Sequence, residues 1–412
     1  MAKRTIEQVD VAGRRVLMRV DFNVPLDGAG AVTDDRRISL TLKSIESIVG
    51  RGGRLILISH LGRPRGAGYE AALSLKPAAD RLGELLPQRA VRFVGDDCLS
   101  EAAARAVASL ADGEILILEN LRFHSGEKKG DAGFAGALAA YGDIYCHEAF
   151  GTAHRSDASL VALPAAMGDC PKVAGVLLEK ELRYLTEAIA GGRSGGGRFV
   201  ALLGGAKVAD KLGAIENLMG RVDTILLGGA MAYTFLKALG QEIGSSRLEA
   251  PLIQAAQAAL DAAAASPTDL ILPKDHVCGK QITRMTPVRV SAGSVPPGWM
   301  GLDIGPESAA QYVGILREAK TVVWNGPVGV VETPPFDVGT KLVAEAIAHA
   351  TDAGAVSVVG GGDTAAAVAA FGLVERFSHV STGGGVSLQM LQGRRLASID
   401  ALDEVPQPSS AG

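Results

Sequence analysis

The sequence feature that most constrains the fold is a regular alternation of short apolar runs with longer amphipathic or alanine-rich segments. The runs are apolar at consecutive positions, which is typical of parallel strands covered on both faces. They lie at 15–20, 54–59, 114–118, 144–146, 199–203, 224–227, 321–324, 355–359 and 377–382. Segments with helical character lie between them, as at 101–110, 252–265 and 341–351. The alternation predicts α/β units built on parallel sheets.

A single helix is predicted between two such units. Its apolar stripe, with helical spacing, consists of Leu178, Leu182, Leu185 and Ile189, and a glycine-rich stretch up to residue 197 follows. A length of 412 residues is sufficient for more than one domain. We therefore predict an N-terminal domain at 1–173, an interdomain helix at 174–190, a C-terminal domain at 191–390 and a polar tail at 391–412.

Composition excludes several classes of protein. Hydrophobic residues make up 47% and charged residues 21% of the chain, which is typical of a globular protein and excludes a disordered one. No apolar run is long enough to cross a membrane, and the first residues lack a signal-peptide core. The net charge of −4 does not favour binding to nucleic acid. We expect a cytoplasmic protein that binds neither nucleic acid nor membranes.

The four cysteines are predicted to be buried or incidental thiols. Cys98, Cys146, Cys170 and Cys278 lie far apart, without a CxxC pair and without a histidine at the spacing of a metal site. Such a distribution is typical of a protein from a reducing compartment.

Polar residues, most of them basic, follow the predicted strands of the first half. They are Asp21 and Asn23, with Arg36 and Arg37 downstream, then His60 and Arg63, then Arg122, and finally His154 and Arg155. Any one of them alone is typical of an ordinary surface charge. Because the carboxyl ends of parallel strands meet at one edge, the cations converge there and repel one another unless an anion neutralises them. The pattern favours a small polyanionic substrate.

Glycines follow the predicted strands of the second half. They stand at 204–205, 228–229, 326, 360–362 and 383–385. Glycine allows close approach of the backbone, and the helix that follows directs its N–H groups and positive dipole end at a ligand. A pair of glycines is usually only turn chemistry, but five such strand ends predict a phosphate chain and room for a nucleotide. No GxxxxGK[ST] or GxGxxG motif is present, which disfavours P-loop enzymes and typical dinucleotide-binding enzymes.

Three charged residues accompany these glycines. Lys207 and Lys211 are predicted four residues apart on one face of the helix that follows Gly205, where two cations are unfavourable unless an anion is bound. The alternative is that Asp210 screens them in solvent. Asp363 is either a helix N-cap or a Mg²⁺ ligand beside a nucleotide phosphate, and the local sequence does not separate the two.

Nine motifs follow one another in a single order over nearly the whole chain: RVDFNVP, SHLGRP, LENLRF, AFGTAHR, GGAKVADK, GLDIGPES, WNGPVGVVE, GGGDTA and STGGG. Together they closely resemble the phosphoglycerate kinase family. The resemblance implies two Rossmann-like lobes, each a mostly parallel sheet flanked by helices, joined by a hinge helix. It also implies reversible phosphoryl transfer between ATP and the carboxylate of 3-phosphoglycerate, giving ADP and 1,3-bisphosphoglycerate, with Mg²⁺ as cofactor. We expect a monomer.

Matching positions in the motifs carry the family's site residues onto this chain. The resemblance implies a 3-phosphoglycerate site made of Asp21, Asn23, Arg37, His60, Arg63, Arg122 and Arg155, with His154 beside it. It implies a nucleotide site made of Lys207, Lys211, Asn325, Glu332 on the ribose hydroxyls, and Gly360, Gly361, Gly362, Asp363 and Thr364 on the phosphate chain. Asp363 would hold Mg²⁺, and Gly205, Gly228, Gly229 and Gly305 would border the nucleoside pocket. Lys207 and Arg37 resemble the pair that stabilises the moving phosphoryl group.

Some positions depart from the family's usual pattern, namely Glu148, Ala230, Val386, Gln389 and Gln392. None of them has an assigned chemical role, so we expect effects on local packing only, and on how the C-terminal segment communicates with the hinge.

The expected mechanism needs no general base, because the acceptor carboxylate is already ionised near neutral pH. We expect His60 and His154 to bind anions, and the lobes to close about 174–190, with 378–396 as a second candidate hinge. One alternative is a dinucleotide or nucleotide-sugar enzyme, which the missing GxGxxG motif disfavours. The other is a two-lobed anion-binding protein of the periplasmic type, which the missing signal peptide and the two lysines disfavour.

Overall fold

The structure is a computed structural model that describes residues 2–191 and 197–405. Its contacts divide the chain into two units, Met1–Arg183 with Arg395–Gly412, and Tyr184–Arg394. The chain therefore passes from one unit to the other twice. No helix of the described residues has both the length and the apolar character needed to cross a membrane.

The first unit is built on a six-stranded parallel sheet in which the strand order is β3-β4-β2-β1-β5-β6. The strands are β1 (Arg15–Arg19), β2 (Arg54–Ile58), β3 (Val91–Val94), β4 (Ile115–Leu118), β5 (Ile144–His147) and β6 (Lys172–Ala174). β1 lies centrally, where Val16 is in register with Leu55 of β2 and Ile144 of β5. These three residues are fully buried, as expected of a sheet covered on both faces.

Helices accompany this sheet, several of them pack apolar side chains against it, and the last continues into the second unit. They are α1 (Arg36–Ser39), α2 (Leu42–Gly50), α3 (Lys76–Leu85), α4 (Glu101–Ala108), α5 (Ser125–Lys129), α6 (Ala132–Ala139), α7 (Ala162–Ala166) and α8 (Val176–Gly191). In α2, for example, Ile45, Ile48 and Val49 are buried in the same apolar core as β1 and β2. Short 3-10 turns stand at Ile6–Gln8, Ala71–Leu73, Leu121–Phe123 and Phe150–Thr152.

The second unit contains a second six-stranded parallel sheet, in the order β15-β14-β13-β7-β8-β9, and a three-stranded antiparallel sheet, β11-β10-β12. The strands are β7 (Arg198–Leu203), β8 (Thr224–Leu227), β9 (Asp269–Ile271), β10 (Asp275–Gly279), β11 (Val288–Ala292), β12 (Met300–Ile304), β13 (Ala319–Asn325), β14 (Val356–Gly360) and β15 (His379–Val380). The helices are α9 (Val208–Leu218), α10 (Ala232–Ala238), α11 (Ile253–Ala264), α12 (Pro306–Arg317), α13 (Val338–Asp352), α14 (Gly362–Ala370) and α15 (Gly384–Leu391), while α16 (Ala397–Asp400) belongs to the first unit.

The predicted α/β architecture with mostly parallel sheets is confirmed, and the predicted strands agree with the structure to within a few residues. The sequence analysis missed β3, β6, β9 and the antiparallel sheet. β6 and β9 are only three residues long, and β3 is half-buried and carries Arg92. None of these three strands therefore shows a long continuous apolar run. β11 is mostly exposed.

The helix predicted at 174–190 is α8, and the Glu148 side chain fixes its first turn. The Glu148 carboxylate accepts hydrogen bonds from the backbone N–H groups of Leu177 (2.9 Å) and Leu178 (3.0 Å), and from the hydroxyl of Ser44. A Cβ atom at Gly175 would collide with this carboxylate. Glu148, one of the departures from the family pattern, is thus the capping group of α8.

The apolar stripe predicted for this helix lies partly outside the described residues. Leu178 and Leu185 are buried and Leu182 is half-buried. The side chain of Ile189, the glycine-rich residues 192–196 and the tail after residue 405 lie outside the part of the chain that the structure describes.

Candidate active site

Six of the residues predicted to bind the acidic substrate form one connected group beyond the carboxyl ends of β1, β2, β4 and β5. We call this group the arginine cluster; its members are Asp21, Asn23, Arg37, His60, Arg122 and Arg155. Arg37 forms an ion pair with Asp21, and Asn23 accepts a hydrogen bond of 2.8 Å from the backbone N–H of Gly62. The loops that follow β1 and β2 are therefore tied together.

His60 lies at the centre of the arginine cluster and is fully buried. Its Nδ1 lies 3.2 Å from the guanidinium of Arg19, and its Nε2 lies 3.4 Å from that of Arg155. Burial, together with the positive charges of four arginines, lowers the pKa of His60 well below its usual value, so the ring is neutral at pH 7.

A neutral imidazole accepts a hydrogen bond at only one of its nitrogens. With the lone pair on Nδ1, toward the closer guanidinium of Arg19, it is Nε2 that carries the hydrogen. The Nε2–H group and the guanidinium of Arg155 are then two donors 3.4 Å apart. An anion placed beside them would accept from both, which is what a binding site for a carboxylate or phosphate requires.

Arg122 is held from two sides. It donates to the backbone carbonyl of Gly62 (3.1 Å) and to the carboxylate of Asp157 (2.9 Å), and both partners of this ion pair are buried. Its Nε, and Oδ1 of Asp21, are buried polar atoms without a hydrogen-bond partner among the described residues. The arginine cluster therefore retains unused hydrogen-bonding capacity.

Two of the predicted substrate residues lie outside these contacts. The side chain of Arg63, next to Gly62, is exposed. His154 is also exposed, and partial burial of its ring, with Arg155 beside it, lowers its pKa, so this ring too is neutral at pH 7. Both are accessible to an incoming ligand.

In the second unit, a cavity of about 250 Å³ lies at the carboxyl ends of β7, β13 and β14. We call it the phosphate cleft. Its lining consists of Gly204, Gly205, Ala206, Lys207, Asp210, Lys211, Asn325, Gly326, Pro327, Gly361, Gly362, Asp363 and Thr364. Eight of the predicted nucleotide residues therefore come together, although they lie in three separate stretches of the chain.

The floor of the phosphate cleft is glycine backbone. Gly326 has a φ of +102°, and a Cβ atom there would collide with the backbone of Gly204, so only glycine fits. Its N–H donates to Oγ1 of the buried Thr364 (2.7 Å), which ties the loop after β13 to the first turn of α14. Gly361, with a φ of +98°, precedes that turn.

Lys211 is the buried cation of the phosphate cleft. Its amine donates to Oδ1 of Asn325, and Nδ2 of Asn325 is buried without a partner in the described residues. Burial lowers the pKa of Lys211 to about 8, and the carboxylates of Asp210 and Asp363 oppose that shift. An anion that binds beside such a lysine stabilises its charged form.

The position of Lys207 corrects the sequence analysis. It was predicted within a helix, four residues from Lys211 on the same face, but α9 begins at Val208 and Lys207 has extended backbone angles (φ −127°, ψ 125°). Lys207 and Lys211 therefore do not form a pair of cations on one helical face. Both lysines nevertheless line the phosphate cleft, with Lys207 exposed.

The two helices that begin at the phosphate cleft differ in how their first N–H groups are bonded. The carboxylate of Glu249, which the sequence analysis missed, accepts from Val208 (3.1 Å) and Ala209 (3.3 Å) at the start of α9. At the start of α14 the N-cap is Gly361, which has no side chain to cap the helix. The N-terminus of α14 is therefore the one suited to an anion.

Asp363 lies in the first turn of α14 and is not its N-cap, so the capping interpretation is wrong. Its side chain is exposed at the phosphate cleft. The remaining predicted nucleotide residues, Gly228, Gly229, Gly305, Glu332 and Gly360, do not line the cavity. Gly229 packs against the backbone of Gly205, Gly305 packs against Asp275, and Glu332 is exposed in the turn after β13.

Comparisons with known proteins identify the family of this chain. The sequence profile of the family described as "Phosphoglycerate kinase" matches residues 6–394. The chain belongs to the phosphoglycerate kinase family. Two relatives with that name are 53% identical over 410 residues (Rhodopirellula baltica) and 47% identical over 406 residues (Anaeromyxobacter dehalogenans strain 2CP-C), in each case across 98% of this chain and 100% of the relative.

Solved phosphoglycerate kinases have the same fold. The structure from Coxiella burnetii has a TM-score of 0.87 and 34% identity, and covers 97% of this chain and 98% of its own. The structure from Pyrococcus horikoshii OT3 has a TM-score of 0.81 and 30% identity, with the same coverage. The resemblance to the phosphoglycerate kinase family is thereby confirmed.

Sequence reasoning missed the residues that support the arginine cluster from beneath. Arg19 is fully buried and donates to the hydroxyl of Ser159 (2.8 Å) as well as meeting His60. Ser159 in turn donates its hydroxyl (2.6 Å) and its N–H (2.9 Å) to the buried carboxylate of Glu127. This chain of contacts fixes the ring of His60. The only sequence signal was an arginine at the end of an apolar strand.

Proposed function

We propose that this protein transfers a phosphoryl group reversibly between ATP and the carboxylate of 3-phosphoglycerate, in the direction of either 1,3-bisphosphoglycerate and ADP or the reverse. Such a reaction serves glycolysis and gluconeogenesis. The observation that carries the proposal is that one chain of this family holds a cation-lined anion site in one unit and a glycine-lined phosphate cleft in the other.

The arginine cluster is the proposed site of 3-phosphoglycerate. This substrate carries a carboxylate at one end and a phosphate at the other, so it needs several separated donors. The guanidinium groups of Arg37, Arg63, Arg122 and Arg155, with the Nε2–H of His60, would supply them. His154 would contribute as a neutral donor at the edge.

The phosphate cleft is the proposed site of the nucleotide's phosphates. We propose that the N–H groups at the start of α14 donate hydrogen bonds to the phosphate chain, while Lys207 and Lys211 neutralise its charge. Asn325 would donate its unpartnered amide to the same group. Glu332 would bind the ribose hydroxyls, and Gly205, Gly228, Gly229, Gly305 and Gly360 would shape the surrounding loops.

The residues present fit a magnesium ion. Mg²⁺ is commonly held by one or two carboxylates together with waters and substrate phosphates, and the exposed carboxylate of Asp363 lies beside the proposed phosphate position. Asp363 would hold the ion, which when bound offsets charge on the phosphate oxygens. The same carboxylate is free to do so because the hydrogen bonds of the α14 turn do not require it.

In the ATP-consuming direction, the carboxylate oxygen of 3-phosphoglycerate attacks the terminal phosphorus of ATP. A bond forms between that oxygen and phosphorus, the bond between phosphorus and the bridging oxygen breaks, and ADP leaves. No proton needs to be removed, because the attacking carboxylate is ionised, so neither His60 nor His154 acts as a base. Lys207 and Arg37 would stabilise the charge on the transferred group.

The reaction requires the two bound substrates to meet. We propose that α8, within which the boundary between the two units falls, serves as the hinge, and that the second passage of the chain, near Arg395, serves as the other. We also propose that the enzyme acts in the cytoplasm and as a monomer. Sedimentation would test the monomer, because the measured mass should equal the chain mass of 42.4 kDa.

The test is an assay of ADP formation from ATP and Mg²⁺ with 3-phosphoglycerate, and with glycerate as a matched acceptor that lacks the phosphate. We expect turnover that depends on 3-phosphoglycerate and is absent with glycerate, because the arginine cluster binds both ends of the acceptor. ATP consumption without an acceptor, or none with 3-phosphoglycerate, would overturn the proposal. In a parallel assay to which NAD⁺ is added, reduction of the NAD⁺ would support the dinucleotide enzyme instead.

A further inference from the structure

A second cavity, of about 160 Å³, lies in the first unit and has no role in the proposed reaction. Its lining includes Asp96, Asp97, Cys98, Glu119 and His124. Three of these residues are carboxylates, and none of the described residues that line the cavity is a lysine or an arginine. Unlike the arginine cluster, this cavity therefore attracts cations.

Three chemically different metal ligands meet at this cavity. A carboxylate oxygen of Asp97, the thiol sulfur of Cys98 and a ring nitrogen of His124 all lie within 4.8 Å of one another. The His124 Nε2 atom is 2.9 Å from Oδ1 and 2.8 Å from Oδ2 of Asp97. No cysteine has a histidine at metal-site spacing in the sequence, but two separate loops of the first unit bring His124 close to Cys98 in space.

We propose that Asp97, Cys98 and His124 bind a zinc-type divalent transition-metal ion, with the fourth coordination position open to the cavity. The thiol would give up its proton to solvent as the sulfur–metal bond forms. The negative charge of the resulting thiolate then offsets one of the two positive charges of the metal ion. Three protein ligands with one open position is the usual arrangement of an accessible zinc site.

The turns that carry these residues hold the ligands in place. The Asp97 carboxylate also accepts from the backbone N–H of Leu99 (2.7 Å), which orients it before α4 begins. His124 stands between a 3-10 turn and α5, and its ring lies against Phe134 with a centroid separation of 4.9 Å. Cys98 is buried, at 2% exposure. Supported ligands of this kind favour metal binding over loose surface coordination.

An ion pair between Asp97 and His124 explains only two of the three groups. It leaves the buried thiol of Cys98 beside Asp97 and His124 without a stabilising interaction with either of them. Ligand atoms around tetrahedral zinc are about 3.3 Å apart, so His124 and Asp97 need to separate by about 0.5 Å, while the sulfur of Cys98, within 4.8 Å of both, needs to come closer to them. This separation is within the reach of the exposed Asp97 side chain.

The ligand types separate this site from the magnesium site proposed at Asp363. A thiolate and an imidazole favour zinc and its neighbours in the transition series, whereas Mg²⁺ prefers oxygen ligands. Binding at the cavity should therefore persist in an excess of Mg²⁺, and should not require nucleotide.

The test is a titration of the reduced full-length protein with Co²⁺ and with Zn²⁺ in excess Mg²⁺. We expect one ion per chain, a thiolate-to-cobalt charge-transfer band, and displacement of cobalt by zinc. Cys98→Ser should abolish the band, and both Cys98→Ser and His124→Gln should weaken zinc binding by at least about a hundredfold, since even outer-shell changes cost 10–100-fold. The matched controls Cys170→Ser and His349→Gln, at a half-buried and an exposed position elsewhere, should leave binding unchanged.

A thermal unfolding measurement distinguishes lost binding from lost folding. Zinc should raise the unfolding temperature of the wild type and of both controls, but of neither cavity variant, because only a chain that binds the ion gains stability from it. Both cavity variants should retain phosphoryl transfer with Mg²⁺ alone. The proposal is overturned if the wild type shows no thiolate–cobalt band, if Mg²⁺ competes equally with zinc, or if folded Cys98→Ser binds zinc as the wild type does.

Discussion

The sites that we propose for phosphorylated ligands are built in opposite ways in the two units. The arginine cluster uses charged side chains held by buried carboxylates, as in the pairs Arg37–Asp21 and Arg122–Asp157. The phosphate cleft uses glycine backbone and the start of α14, with one buried lysine and one exposed lysine. Side-chain donors fixed in several directions suit a small compact anion, whereas backbone donors suit a phosphate chain that must come close.

This difference teaches that the two sites should fail in different ways. Removal of a cation from the arginine cluster removes a ligand contact, and where the cation is buried it also strands a carboxylate. In the phosphate cleft, addition of a single methyl group to the glycine backbone should be enough to keep the ligand away.

The largest effect is expected for Lys207→Ala. Because Lys207 is proposed to stabilise charge on the moving phosphoryl group, its loss should lower kcat by about 10²–10³-fold, with small changes in KM. The exposed position of its side chain predicts an unchanged unfolding temperature. Steady-state kinetics of the purified variant would measure this.

Lys320→Ala is the matched control for that variant. Lys320 is an exposed lysine at the amino end of β13, the strand whose carboxyl end carries Asn325 at the phosphate cleft. It should retain full activity. Wild-type kcat in Lys207→Ala, or an equal loss in Lys320→Ala, would contradict the role of Lys207.

A smaller effect, on one substrate only, is expected for Arg63→Ala. Arg63 is exposed beside the arginine cluster, so its loss should leave the fold intact and remove one charge-assisted hydrogen bond to the ligand, raising the KM for 3-phosphoglycerate about tenfold or more. The KM for ATP should not change. Arg105→Ala, which removes an exposed arginine from the outer face of α4, should change neither constant.

Gly362→Ala tests the backbone site without straining it. Gly362 has no neighbour within 4 Å of an added Cβ atom and does not have a positive φ, so the variant should fold as the wild type does. The methyl group would nevertheless project where phosphate is proposed to approach, and should weaken ADP binding about tenfold. Trp324, which adjoins the cleft residue Asn325, provides a fluorescence signal for the titration.

Gly314→Ala is the control for Gly362→Ala. This glycine lies in α12 and also has open space around an added Cβ atom. The variant should bind ADP normally and gain slightly in stability, since alanine favours helix. If Gly362→Ala also bound ADP normally, the phosphate chain would not lie against the start of α14.

The smallest effect is expected from the titration of Lys211. Bound phosphates favour the charged amine, so binding of ADP takes up a proton above pH 8, and affinity should fall severalfold as the pH rises from 8 to 9.5. Lys211→Arg, which stays charged, should lose this pH dependence. An equal slope in Lys211→Arg would assign the effect to another group.

The same pKa predicts the sign of a stability effect. Between about pH 8 and the ordinary lysine pKa near 10.4, the unfolded chain holds a proton that native Lys211 has lost, so the stability of the free protein should rise with pH across that window. Below pH 8 both states are protonated and this contribution is constant. Urea unfolding at several pH values would measure it.

Much of the fold was predictable because long-range contacts followed from local patterns. Buried parallel strands are apolar at consecutive positions, and their carboxyl ends must share an edge, which correctly placed Arg122 after β4 and Asn325 at the end of β13. The prediction that Lys207 lies within the helix was wrong. The first N–H groups of α9 donate to the carboxylate of Glu249, about forty residues away, and no local pattern in the sequence indicates that partner.

Interior support was also hidden. Arg19, Ser159 and Glu127 are widely spaced in sequence and each is unremarkable by itself, so only packing shows that they fix His60. The Asp97–His124 contact, between residues 27 apart, is of the same kind. Side-chain partners joined through loops leave no periodic trace in the sequence.

The most direct test of the central claim, that each unit binds its own ligand by its own means, is a set of four equilibrium titrations. 3-Phosphoglycerate and ADP would each be titrated into Arg63→Ala and Gly362→Ala, both checked for wild-type folding. The account predicts that Arg63→Ala loses affinity only for 3-phosphoglycerate and Gly362→Ala only for ADP. A loss of affinity for the same ligand in both variants would contradict it.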